Sequence, residues 1–77
     1  MKKVAIYSTP TCHFCKAVKE LFAEHNIQYT NYDVASDREK AQEMMQKSGQ
    51  MGVPVIFVDE EMIIGFDEAR LKMLLGI

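Results

Sequence analysis

Val4-Ala5-Ile6-Tyr7 is an unbroken apolar run. A strand exposed on one face would alternate, so the run suits a strand covered on both faces, as in a parallel sheet. It predicts a first strand over residues 3–8. From Phe14 onward the pattern changes, with apolar Phe14, Ala17, Val18, Leu21 and Phe22 separated by Lys16, Lys19, Glu20 and Glu24. Steps of three and four place the apolar set on one stripe of a helix. That helix is expected to stop near Asn26. Residues 27–34 are rich in β-formers (Ile27, Tyr29, Thr30, Tyr32, Val34) and predict a second strand.

Ser36 and Glu39 have the spacing of a capping box, and Gly49 is placed to end what they begin, so a second helix is expected over residues 37–48. Met44 and Met45 read as core filler on that helix. The mixed charges from Asp37 to Lys40 read as its solvated face. Val55–Val58 and Met62–Ile64 are short β-rich runs on either side of the polar Asp59-Glu60 step, which predicts an antiparallel pair. Asp67 can cap a last helix with the apolar stripe Ala69, Leu71, Leu74 and Leu75, ended by Gly76. The order βαβαββα implies an α/β fold. A right-handed crossover joins the parallel strands, the hairpin adds antiparallel ones, and a four-stranded mixed sheet results with helices on both faces.

The chain has 77 residues, too few to divide into two cores, so residues 1–77 are read as a single domain. Hydrophobic residues make up 48% of it, which excludes a disordered composition. Nine Lys and Arg against eleven Asp and Glu give a net charge of −2, with both signs dispersed. No basic footprint for nucleic acid or an acidic membrane is visible. The longest apolar stretch, Val53 to Val58, contains Pro54 and falls far short of the roughly 18 residues a membrane-spanning helix needs. Lys2 and Lys3 precede too short an apolar run for a secretory signal. A cytoplasmic monomer is the expectation.

Both cysteines, Cys12 and Cys15, lie within four positions, where a bridge closes almost no loop and adds little stability. Their spacing therefore points to chemistry. At the start of a helix the two thiols share one face, at a separation compatible with a reversible disulfide. Cys12 sits where backbone N–H groups are unpaired and the helix dipole is positive, which favours thiolate. The dipole is worth about 0.3–1 kcal/mol, about 2 at most, and so lowers a thiol pKa near 8.5 by roughly 0.2–1.5. Further stabilisation has to come from a hydrogen bond donated by the Cys15 thiol or from a positive charge such as Lys16 or protonated His13. This asymmetry makes Cys12 the attacking thiol and Cys15 the resolving one. The alternative is a metal or iron-sulfur carrier built on the same two thiols. A closed zinc site takes four ligands, and Cys12, Cys15, His13 and His25 lack finger spacing.

Three motifs, Tyr7-Ser-Thr-Pro-Thr-Cys-His-Phe-Cys15 after the first strand, Gly52-Val-Pro54 before a strand, and Gly65-Phe-Asp67 before the last helix, make the chain resemble a small glutaredoxin along essentially its whole length. The resemblance implies a thioredoxin-like fold, a cis peptide before Pro54, and thiol-disulfide exchange with protein or glutathione mixed disulfides. It implies no bound cofactor, with glutathione as co-substrate. Cys12 then matches the nucleophile, Cys15 the resolving thiol, Val53 the residue whose backbone pairs with substrate, and Pro54 the cis-proline facing the thiols. Thr11, His13 and Phe14, beside the thiols, are expected to bind substrate or glutathione, as are Gly65, Phe66 and Asp67, which match the segment that helps hold the γ-glutamyl end of glutathione. Three features depart from the pattern: His13-Phe14 replaces the usual Pro-Tyr, Thr9 stands where many members have Lys, and Gly65 is a single glycine. The last is similar to the glutaredoxin-like proteins that draw electrons from a flavoprotein thioredoxin reductase, so both donors are candidate partners.

Overall fold

The computed structural model describes residues 2–77. The elements follow the expected order: β1 (Val4–Ser8), α1 (His13–Glu24), β2 (Thr30–Asp33), α2 (Arg38–Ser48), β3 (Val55–Val58), β4 (Glu61–Ile64) and α3 (Glu68–Leu75). They form one four-stranded sheet in the order β2-β1-β3-β4, with β1 parallel to β2 and antiparallel to β3, and β3 antiparallel to β4.

The unbroken apolar run in β1 has the cause expected of it. Successive side chains leave opposite faces of a strand. Val4 and Ile6 join Val18, Leu21 and Phe22 of α1 and Leu71 of α3 in one buried cluster, while Tyr7 joins Met44 of α2 and Val55 in another. Helices α1 and α3 thus cover one face and α2 the other. Ile6, Phe22, Met44, Ile56 and Leu71 have no exposed surface.

Four local expectations are corrected. The second strand begins at Thr30 rather than at residue 27, because the chain is still completing the end of α1: Asn26 adopts a left-handed φ of 55° and the Ile27 N–H bonds to the Phe22 carbonyl at 2.8 Å. The side chain of Ile27 then packs against the α1/α3 cluster. The cap of α2 is Asp37, whose Oδ1 accepts from the Lys40 N–H at 3.1 Å, so the box based on Ser36 does not form. Met45 is 52% exposed and Ala69 is exposed, whereas Met44 and Leu71 carry the burial of their helices. Lys40 does not lie on a purely solvated face, since its Nζ sits 4.3 Å from the centroid of the Tyr32 ring and 2.9 Å from Glu43.

The polar step between β3 and β4 turns through Asp59, at a φ of 54°. Its N–H donates to the Lys3 carbonyl at 2.7 Å and its Oδ1 accepts from the Lys3 N–H at 2.8 Å, which ties the hairpin to the start of β1. At the opposite end of the sheet, Tyr7 is in register with Val55 and Val55 with Ile64. The segments beyond those residues, leading to Cys12 from β1, to Pro54 before β3 and to Gly65 after β4, therefore emerge from the same end.

Candidate active site

Cys12 is the N-cap of α1, with extended backbone (φ −81°, ψ 114°). The loop that delivers it is drawn tight by the Cys12 N–H bonding to the Thr9 carbonyl at 3.3 Å, and the helix starts with Lys16 N–H bonding to the Cys12 carbonyl at 3.2 Å. Cys12 and Cys15 are joined in a disulfide, with Cα atoms 5.2 Å apart. The Cys15 N–H donates to Cys12 Sγ at 3.1 Å. A backbone donor at a helix start stabilises negative charge on the atom it faces. Cys12 is half-buried while Cys15 is 1% exposed, so an approaching molecule meets Cys12 first.

Around Cys12, the residues Thr9, Pro10, Thr11, His13, Lys16 and Lys19 line a shallow cleft of about 290 Å³. Its ionisable side chains besides the cysteine are His13 and two lysines. Lys16 and Lys19 lie four and seven positions after Cys12, the spacing that keeps residues on one helix face. Lys19 did not figure among the expected site residues, although that spacing was available to find it. A larger depression of about 610 Å³ lies at the other end of the sheet, among residues such as Lys3, Ile27 and Tyr29, away from the cysteines. Size alone does not locate the chemistry.

The other expected site residues divide into two groups. Thr11, His13 and Phe14 are exposed around the cysteines, Phe14 at 59%. The Val53-Pro54 peptide is cis. Pro54 is buried, and its carbonyl accepts from the Gly65 N–H at 2.9 Å. Among the described residues, no backbone hydrogen bond is made by Val53. Gly65 has a φ of 84°, in the left-handed region that favours glycine. Phe66 turns inward and packs against the α1/α3 cluster, whereas Asp67 is exposed and caps α3, its Oδ1 accepting from the Arg70 N–H at 3.2 Å. Met51 (57% exposed) and Ile64 (49%) leave apolar surface beside the Val53 and Gly65 segments.

A second polar cluster lies under α2. Glu43 accepts from Lys47 Nζ, Lys40 Nζ and the Tyr7 hydroxyl, each at 2.9 Å. These bonds, that from Lys47 foremost, hold its carboxyl down to about 2 from an ordinary 4.5. Burial, reinforced by the bond to Glu43, pushes the Tyr7 hydroxyl up, which keeps it a donor. The cluster locks α2 to the sheet.

Residues 4–63 match the family model described as Glutaredoxin. The chain belongs to the glutaredoxin family. It is 43% identical over 72 residues to an uncharacterised glutaredoxin-like 8.6 kDa protein in the rubredoxin operon of Clostridium pasteurianum, covering 94% of this chain and 96% of that one. Glutaredoxin 3 of Escherichia coli K12 is 32% identical over 68 residues, covering 88% and 82%. A crystallised thioredoxin-like protein superposes with a TM-score of 0.92 at 31% identity, covering 100% of this chain and 99% of the other. The glutaredoxin of Archaeoglobus fulgidus, at 22% identity and a TM-score of 0.86, covers 97% and 87% and shares the fold. The fold is thus thioredoxin-like, and the Cys12–Cys15 pair in this family setting carries thiol-disulfide redox function. No helix among the described residues is long and apolar enough to cross a membrane.

Proposed function

We propose that this glutaredoxin reduces disulfides in extended polypeptides and mixed disulfides of glutathione, with Cys12 attacking and Cys15 resolving. The observation that carries the assignment is the asymmetry of the pair: Cys12 is accessible at the helix N-cap with its sulfur facing the Cys15 N–H, and Cys15 is buried behind it. In the reduced protein, the Cys12 thiolate attacks one sulfur of the substrate disulfide and the other sulfur leaves as a thiolate that takes up a proton. The Cys15 thiol then loses its proton and attacks Cys12 Sγ. This releases the second substrate thiol and forms the Cys12–Cys15 disulfide. Two electrons have moved from the protein to the substrate.

Substrate docking on this reading uses the Val53 N–H and C=O, which can pair with an extended segment as an added strand does. Exposed Phe14, Met51 and Ile64 give the docked segment apolar surface to cover. Lys16 and Lys19 offer cationic partners to a carboxylate beside Cys12, which supports glutathione as a donor despite the uncharged Thr9. A flavoprotein thioredoxin reductase is the competing donor, and the setting is cytoplasmic.

Turnover of a glutathione mixed disulfide and of a disulfide-bonded polypeptide, each driven once by glutathione with its reductase and once by thioredoxin reductase, tests the reading. Cys12→Ser is expected to abolish every reaction. Cys15→Ser is expected to keep the first attack but to accumulate a mixed disulfide with the polypeptide. Residual turnover in Cys12→Ser, or the stable adduct on Cys15, contradicts the assignment.

A further inference from the structure

The segment that presents Val53 is pinned on both sides. On its far side the Gly65 N–H holds the Pro54 carbonyl at 2.9 Å. On its near side a single side chain does the work: Gln50 Nε2 donates to the Gly52 carbonyl at 3.1 Å, and the Gly52 N–H donates to Gln50 Oε1 at 2.5 Å. One amide thus satisfies both backbone groups of the residue before Val53, bridging over Met51. Gln50 is itself anchored to the end of α2. Ser48 Oγ lies 2.6 Å from the Met44 carbonyl and 2.9 Å from the Gln50 carbonyl, and accepts from the Gln50 N–H at 3.4 Å.

Gly52 reports on the same contact. Unlike Gly65 it has no positive φ, so its backbone does not require glycine. A Cβ built on it would nevertheless lie 2.6 Å from Gln50 Oε1 and would meet nothing else closer than Gln50 Cδ at 3.7 Å. The absence of a side chain at position 52 is what lets the Gln50 amide close.

We propose that Gln50 is a positioning residue that, by clamping the Gly52 peptide groups, aims the unpaired N–H and C=O of Val53 at an incoming polypeptide disulfide. The proposal rests on the docking role of Val53 given above. The clamp acts on binding of the extended segment rather than on the thiols, because it lies in the loop before β3 and, among the described residues, Gln50 and Gly52 share no hydrogen bond with Cys12 or Cys15.

Single-turnover reduction of a fluorescence-quenched, disulfide-bonded peptide by the prereduced full chain tests it without involving any electron donor. Gln50→Ala is expected to raise the half-saturating peptide concentration about three- to tenfold, the size of one modest hydrogen bond. The saturating rate and the ultraviolet thiolate titration of Cys12 should stay as in the wild type. Gly52→Ala is expected to do the same by displacing the amide, and the double substitution should equal either single one rather than multiply them. Gln50→Glu, which keeps the acceptor for the Gly52 N–H and loses the donor to its carbonyl, should fall between. Wild-type half-saturation in Gln50→Ala, or multiplying effects in the double variant, overturns the clamp. So does a change confined to the thermal midpoint. A wild-type chain that leaves the peptide oxidised overturns the docking reading itself, and the proposal with it.

Discussion

Replacing Glu43 with glutamine is expected to cost the fold about 1–2 kcal/mol at pH 7 and almost nothing near pH 2. The carboxyl is held at about 2 instead of 4.5, first by Lys47, then by Lys40 and the Tyr7 hydroxyl. At about 1.36 kcal/mol per pKa unit, a difference of 4.5 − 2 = 2.5 sets a ceiling near 3.4 kcal/mol. The Glu43 side chain is 33% exposed and Lys47 50%, so solvent screens much of this, and about half or less should survive. The folded pKa is the lower one, so the stabilisation is complete above the unfolded value of 4.5 and is lost as pH falls from there toward 2. Urea unfolding of the oxidised wild type and of Glu43→Gln at pH 7, 4 and 3, compared at constant m-value, reads this directly. The gap between the two proteins should narrow steadily with acidification and should also shrink in high salt. A gap that is the same at pH 7 and pH 3 would refute the reasoning, since it would arise from lost packing rather than from charge.

Two further predictions concern the donor and α3. Thr9→Lys adds a cation to the cleft that already holds Lys16 and Lys19, so glutathione-driven turnover should rise, by about ten- to a hundredfold for one charge-assisted hydrogen bond, with thioredoxin-reductase-driven turnover nearly unchanged; equal changes in both assays would place the effect on the Cys12 thiolate instead. Asp67→Ala removes the acceptor for the Arg70 N–H and should lower stability by about 1 kcal/mol in chemical denaturation, with a selective loss of glutathione-driven turnover; a stability loss with both donors still equally effective would leave Asp67 a cap alone.

What could be read from the sequence depended on whether a residue's role left a periodic trace. Val4 to Tyr7 announced a strand covered twice because α1 and α3 bury Ile6 and α2 buries Tyr7, so no polar position interrupts the run. Cys12 and Cys15 announced their chemistry through spacing, and the N-cap position of Cys12 lies just before the helix that the amphipathic stripe revealed, although Phe14, read as the first residue of that stripe, is exposed. Ile27 misled because a β-branched residue suits a strand by propensity, yet here it closes a helix end and packs into the core. Ser36 misled because the capping-box spacing to Glu39 matched, whereas it is the next residue, Asp37, read only as part of a charged face, whose carboxylate accepts from the Lys40 N–H. The Glu43 cluster joins β1 to α2 across the sheet face, a long-range pairing that no local pattern carries. Gln50 left no trace at all. Its contact runs from side chain to backbone two residues away, and that depends on a loop geometry fixed by tertiary structure.

On this mechanism Cys12 is the activated thiol and Cys15 the sheltered one. Reduced protein pulsed with iodoacetamide across pH 5–10 and mapped by fragment-ion mass spectrometry tests it most directly, since both cysteines are read in one peptide. The label is expected to enter at Cys12, with a midpoint below the ordinary thiol value of about 8.5, while Cys15 stays unmodified until the protein is unfolded. First labelling at Cys15, or equal labelling of both with midpoints near 8.5, would contradict it.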